Sequence, residues 1–275
     1  RRAAHYTRDV SGVVSVTATV GLSVLFALSG FLVGSVAGHV AEAALVRRRL
    51  AAPRCPYCTT PYRPYQWSAT VALVSGQWRC RICRRPARLP RLLGELFLAV
   101  AWAILVARSG LTPRVLLAMV ALVPLAMILV TDLEAKLVPN AIMLPSLGAM
   151  VILGTIFGPG VPFLSEVRWW HSLVGAAVGY AIFRVLVWIG VALFGEGALG
   201  EGDVTLSTYV GAAVGFPLVL EALVLAFAFG GVGALAILLL RRGQLRTAIP
   251  YGPFIIMGCA VAMIWGAEIL TWFLT

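Results

Sequence analysis

Asp132 and Asp203 are two of only three aspartates in this chain, and each stands where a long apolar run meets a short polar turn. The first lies in Leu129-Val130-Thr131-Asp132-Leu133-Glu134-Ala135-Lys136-Leu137-Val138-Pro139-Asn140, the second in Gly200-Glu201-Gly202-Asp203-Val204. Carboxylates at membrane depth are expensive, so those that occur are usually functional or paired. Two carboxyls sharing one site cannot both ionise cheaply, and the pair then holds a single proton near neutral pH. In that state one group can take a proton from a water while the other protonates a departing amide, the chemistry of aspartic proteases. Gly200 and Gly202 remove two side chains just ahead of Asp203, which would let a peptide backbone approach its carboxyl. Taken singly, each aspartate also has a plainer reading. Asp132 can be a helix-end acid paired with Lys136, the only lysine in the chain, one turn on. Asp203 can be an N-cap or first-turn acid favoured by the helix dipole. Glu134 and Glu201 are neighbours that compete for either role.

A second chemical constellation is the pair Cys55-Pro56-Tyr57-Cys58 and Cys80-Arg81-Ile82-Cys83. Four thiolates at CxxC…CxxC spacing can close a tetrahedral structural zinc site. The 21 intervening residues slightly exceed the usual separation, so a longer hairpin, near Tyr65–Val74, is expected between the pairs. A reducing compartment disfavours disulfides, and redox pairs are the alternative reading. Zn²⁺ with four thiolates carries a net negative charge that Arg54, Arg79, Arg81, Arg84 and Arg85 would offset. A loop of this size is too small for a core of its own and would depend on metal for its fold. The fifth cysteine, Cys259, lies in the last apolar segment and reads as a packing residue.

The elements that must carry these residues are membrane helices. The chain is 60% hydrophobic and 12% charged, with a mean hydropathy of +0.94. This excludes an ordinary soluble domain. A spanning helix needs about 20 mostly apolar residues. Eight candidates stand near 13–37, 92–108, 114–131, 141–158, 171–194, 204–218, 219–240 and 252–274. The sixth is short and Pro217 interrupts it, so seven spans is the alternative. No removable signal peptide is expected from the N-terminal pattern. Three regions are expected: an N-terminal spanning helix (1–46), a zinc-binding loop (47–91) and a helical bundle (92–275).

Charge sets the topology. Of 22 basic residues against 11 acidic ones, eleven arginines fall between Arg47 and Arg91 with no acid among them. Basic loops mark the cytoplasmic side and touch anionic lipid headgroups; no nucleic-acid-reading motif accompanies the charge. Counting spans from that loop places Asp132 at the cytoplasmic end of the third and Asp203 at the cytoplasmic start of the sixth. Trp169 and Trp170 become interfacial anchors outside. Arg241, Arg242 and Arg246 fall inside, in agreement; Arg1, Arg2 and Arg8 fall outside, against the rule, and the larger cluster prevails. The two aspartates therefore share a face.

Gly200-Glu201-Gly202-Asp203 matches the GxGD motif of intramembrane-type aspartic proteases. Together with the Asp132–Asn140 stretch and the two CxxC pairs, it resembles the prepilin peptidases (type IV leader peptidases) of bacteria. Gly34-Ser35, Leu93-Gly94-Glu95-Leu96 and Ile249-Pro250-Tyr251-Gly252-Pro253-Phe254 agree in order, so the resemblance covers nearly the whole chain. It implies an all-α enzyme of the bacterial plasma membrane that cuts the basic leader from pilin-like precursors at the cytoplasmic face. Catalysis would fall to Asp132 and Asp203, the glycine turn to Gly200 and Gly202, and zinc to Cys55, Cys58, Cys80 and Cys83. Many members also methylate the new N-terminus with S-adenosylmethionine. Thr205, Gly38 and Asn140 replace the lysine, asparagine and aspartate common at those places, which bears on substrate choice and methylation. His39 reads as a satisfied polar residue at a helix–loop boundary. The rivals are a preflagellin- or signal-peptide-type GxGD protease, a cation- or proton-coupled transporter using both aspartates, and an inactive pilin-binding scaffold.

Overall fold

The computed structural model describes residues 2–45, 53–55, 57–161, 169–195, 200–240 and 250–274. Arg1, Arg47, Arg48, Arg49, Arg241, Arg242, Arg246, Pro56 and Ile249 lie outside the described residues. Within them there is no strand, only two isolated bridges.

Nine α-helices are described. They are α1 (Arg2–Leu45), α2 (Ala69–Val74), α3 (Leu89–Ser109), α4 (Pro113–Ala135), α5 (Asn140–Phe157), α6 (Trp170–Phe194), α7 (Glu201–Val214), α8 (Leu218–Leu240) and α9 (Gly252–Leu274). Eight of them answer to the eight expected segments. Seven are long and apolar enough to cross a membrane. The exception is α7, whose 14 residues rise only about 21 Å against a hydrocarbon core of about 30 Å. Pro124 and Pro145 sit inside α4 and α5, as spanning helices tolerate where neighbours re-satisfy the freed backbone. Four helices, α3, α5, α6 and α7, stop at a glycine of positive φ: Gly110, Gly158, Gly195 and Gly215, a backbone conformation that glycine alone adopts without steric cost.

Helices in lipid associate through small residues that let backbones approach, and α7 is held this way. A Cβ on Gly175 of α6 would lie 2.2 Å from the Gly211 carbonyl oxygen, and one on Gly179 would lie 2.3 Å from that of Ser207. Ser207 Oγ donates to the Gly179 carbonyl across the same crossing. On the far side the Tyr209 hydroxyl donates to the Ala121 carbonyl of α4. Every residue of α7 from Ser207 through Val214 except Thr208 is buried. The short helix is thus the centre of the bundle rather than a strut at its rim. α1 packs on α3 by the same means: a Cβ on Gly30 or Gly34 would lie 2.8 Å from the α3 backbone.

The two ends of the bundle are distinct. At one end the Gly158–Val161 turn tucks in, its Gly160 N–H donating to the Ala213 carbonyl, and Phe216 N–H donates to that of His171. Trp169 stands exposed there, and Arg108 pairs with Glu268. The other end carries the cysteine loop, the α4–α5 turn and the starts of α7 and α9. The expected hairpin over Tyr65–Val74 is instead a 3₁₀ turn at Pro64–Gln66 followed by α2. Ser68 caps α2 by accepting from the Val71 N–H, and this local cap, favoured by the Ser type, decides helix over strand.

Candidate active site and metal loop

Asp132 sits in the last turn of α4, which closes when Lys136 N–H donates to its carbonyl. Lys136, in the left-handed conformation, turns the chain into Leu137-Val138-Pro139 and α5. Asp203 sits in the first turn of α7, after Gly200 at the N-cap. What brings the two segments together is Gly202. A Cβ there would lie 2.8 Å from Val138 Cβ, so only glycine lets the start of α7 rest on the turn that follows Asp132. Gly202 therefore joins the two aspartate segments and faces Val138 rather than an approaching peptide. A Cβ on Gly200 would lie 3.6 Å from Asp203 Oδ2, in ordinary contact with it.

Asp132 is 5% exposed and Asp203 is also largely shielded. Asp203 lies within electrostatic reach of Asp132. The start of α9 packs directly on Asp132: a Cβ on Gly252 would lie 2.6 Å from Asp132 Oδ2. That Oδ2 is buried and has no hydrogen-bond partner among the described residues. Periodicity does not mark Gly252 as a site residue; its signal in the sequence is its place in the Ile249–Phe254 stretch that carries the resemblance.

The competing acids are engaged elsewhere. Glu134 forms a partly buried ion pair with Arg88, just ahead of α3. Glu201 is exposed and takes both carboxylate oxygens to Arg184 of α6, at 2.7 and 2.8 Å. Thr205, one turn after Glu201, makes only a long hydroxyl contact to the Glu201 carbonyl. The cation beside Glu201 thus comes from α6.

In the loop, the two CxxC turns are built alike. Cys55 N–H donates to the Thr60 carbonyl and Thr59 N–H to that of Cys55; Cys80 pairs with Arg85, and Arg84 with Cys80, in the same pattern. Thr59 and Arg84, each just after a second cysteine, are both left-handed. The four Sγ atoms lie within 4.8 Å of one another, with Cys55–Cys83 at 3.7 Å and Cys58–Cys80 at 3.5 Å. Zn–S bonds of about 2.3 Å in a tetrahedron put sulfurs about 3.8 Å apart, so the donor set fits a metal such as zinc. Hydrogen bonding with Thr60 lowers the Cys58 thiol to about 6, while Cys83 in the same cluster is raised to about 11. Cys259 is wholly buried among apolar residues.

The loop is docked by buried polar groups on α1 and α3. The Glu95 carboxylate, 1% exposed, accepts from Ser68 Oγ, Ala69 N–H, Thr70 N–H and Thr70 Oγ1 at 2.8–2.9 Å. It therefore satisfies the first backbone donors of α2. Arg91 Nη2 donates to the Trp67 carbonyl at 2.6 Å and sits 3.6 Å, at Nε, from Glu42. Ser35 Oγ also donates to that carbonyl. His39 Nε2 lies 2.7 Å from the same oxygen and 3.0 Å from Arg91, which makes it a satisfied polar residue.

Residues 119–235 match the type IV leader peptidase family. The chain is 33% identical to the Aeromonas hydrophila protein named prepilin leader peptidase/N-methyltransferase, over 82% of this chain and 76% of that one. It is 25% identical to the protein of the same name from Bacillus subtilis, over 92% of this chain and 98% of that one. The Pseudomonas putida protein of that name is 26% identical over 80% and 74%. No solved structure matches.

Proposed function

The chain belongs to the type IV leader peptidase family, and on that premise we propose that it is a membrane aspartic endopeptidase removing leaders from pilin-like precursors, with Asp132 and Asp203 as its catalytic pair. The single observation carrying this reading is the meeting of two shielded carboxylates at one end of the bundle, joined by the Gly202–Val138 contact. With one proton between them, the ionised carboxylate takes a proton from water as its oxygen attacks the scissile carbonyl. The protonated partner then delivers its proton to the leaving nitrogen. The eleven arginines of 47–91 support a cytoplasmic active-site face in the plasma membrane, where the loop meets anionic headgroups.

Cys55, Cys58, Cys80 and Cys83 would hold zinc as a cross-link, since four sulfur donors fill its coordination. The regions 1–46, 47–91 and 92–275 are then an anchor helix, a metal-folded loop and the protease bundle. The relatives' shared name also supports methylation of the new N-terminus, with S-adenosylmethionine as donor. Transport by the two aspartates and a preflagellin-type specificity are both disfavoured by family membership. The test is to incubate the purified protein with a prepilin peptide and S-adenosylmethionine and weigh the products. Loss of the leader mass, followed by a gain of one methyl on the remainder, is expected. An intact precursor would overturn the reading.

A further inference from the structure

Tyr251 immediately precedes Gly252, whose Cβ would lie 2.6 Å from Asp132 Oδ2, so its backbone is anchored one residue from the carboxylate pair. Its ring is seated among Phe183 of α6, Phe227 of α8 and Phe254 of α9, with centroid separations of 6.1, 6.2 and 6.1 Å. A Cβ on Gly230 would come 2.7 Å from Tyr251 Cε2, so the ring rests directly on the backbone of α8. A ring held this firmly needs no hydroxyl for packing, and its three neighbours are phenylalanines. Yet the Tyr251 hydroxyl is buried and has no hydrogen-bond partner among the described residues. Buried polar atoms are satisfied in the great majority of cases, and an orphan calls for a functional reason. This one lies within electrostatic reach of Asp203.

We propose that the Tyr251 O–H donates a hydrogen bond to the carbonyl oxygen of the scissile peptide as that oxygen becomes the oxyanion of the tetrahedral intermediate. The inference rests on Asp132 and Asp203 being the water-activating pair. When the water oxygen bonds to the carbonyl carbon, its proton passes to the ionised carboxylate and the carbonyl electron pair moves onto oxygen, against Tyr251. On collapse that pair re-forms the carbonyl, the C–N bond breaks, and the nitrogen takes the proton held by the other carboxyl. Tyr251 keeps its own proton throughout. Burial, with the Asp203 charge adding to it, pushes the phenol up to about 12, so it stays a donor at any working pH. A bond that is orphaned in the resting enzyme and made in the transition state lowers the barrier without tightening substrate binding.

Tyr251→Phe removes the hydroxyl and keeps the ring. With a prepilin peptide, kcat should fall about 10- to 100-fold, at the lower end or below the range for an oxyanion-hole donor, while KM stays within about twofold. A peptide bearing a hydrated difluoroketone at the scissile position mimics the tetrahedral intermediate; its affinity should fall by the same factor as kcat. Affinity for the leader-free product should not change. The unfolding temperature should hold or rise, because the variant removes an unsatisfied buried group. A kcat within twofold of the parent, or equal losses of affinity for ketone and product, would overturn the proposal. Failure of the unmodified protein to cleave would overturn it together with the peptidase reading.

Discussion

Gly252→Ala probes the contact that ties α9 to the site. The new Cβ would lie 2.6 Å from Asp132 Oδ2 and 3.1 Å from its Cγ. Non-bonded heavy atoms rest about 3.5 Å apart, so the methyl forces a displacement of roughly 0.9 Å. Asp132 is fixed by the last turn of α4, so either its carboxyl swings aside or the start of α9 moves away from it. Misplacing a catalytic group by about 1 Å costs on the order of 100-fold in rate. Overpacking typically costs about 1–3 kcal/mol. The variant should therefore fold, unfold a few degrees lower, and cleave a prepilin peptide about 100-fold more slowly, with kcat bearing the loss. Steady-state cleavage in detergent with a parallel thermal melt reads both. A kcat/KM within threefold of the parent, with an unchanged melt, would refute the geometry.

Other outcomes follow from the loop. Glu95→Ala strands the Ser68, Ala69 and Thr70 donors and should cost at least about 2 kcal/mol, given about 1.5–3 for a hydrogen bond to a charged group. Limited trypsin digestion at the arginines of the 53–91 segment should accelerate, whereas unchanged digestion would count against the docking role. Stripping the metal with a chelator, or changing Cys55 to Ser, should lower bound zinc from about one per chain to near zero and expose the same arginines to trypsin. Circular dichroism should keep nearly all of its helical signal, because the spanning helices do not use the metal; a collapse of that signal would contradict the division into loop and bundle.

Much of this was legible from local chemistry. Apolar runs and arginine bias placed eight helices and put Asp132 and Asp203 on one face, because hydropathy and loop charge are properties of the chain alone. The cysteine spacing likewise announced a four-sulfur cluster. The missing parts depend on contacts between distant segments. Nothing local says that Gly202 must clear Val138 or that Gly252 must clear Asp132; both requirements exist only once α7 and α9 are docked. Gly202 reads naturally as an opening for substrate, yet tertiary packing takes that space. The 65–74 segment carries Val, Thr and Tyr, which suit a strand, but Ser68 and the distant Glu95 cap it as a helix. Glu95 itself looks like a liability inside an apolar segment until its four donors are known.

The account stands on Asp132 and Asp203 acting as one unit on one water. The direct measurement is kcat/KM for leader removal by Asp132→Asn, Asp203→Asn and the double variant, with bound zinc and melting temperature as folding controls. Groups that act together are strongly non-additive. Each single variant should fall to the background rate, and the double should be no slower than either. Substantial cleavage by either single variant, or a double loss equal to the product of two partial losses, would contradict it.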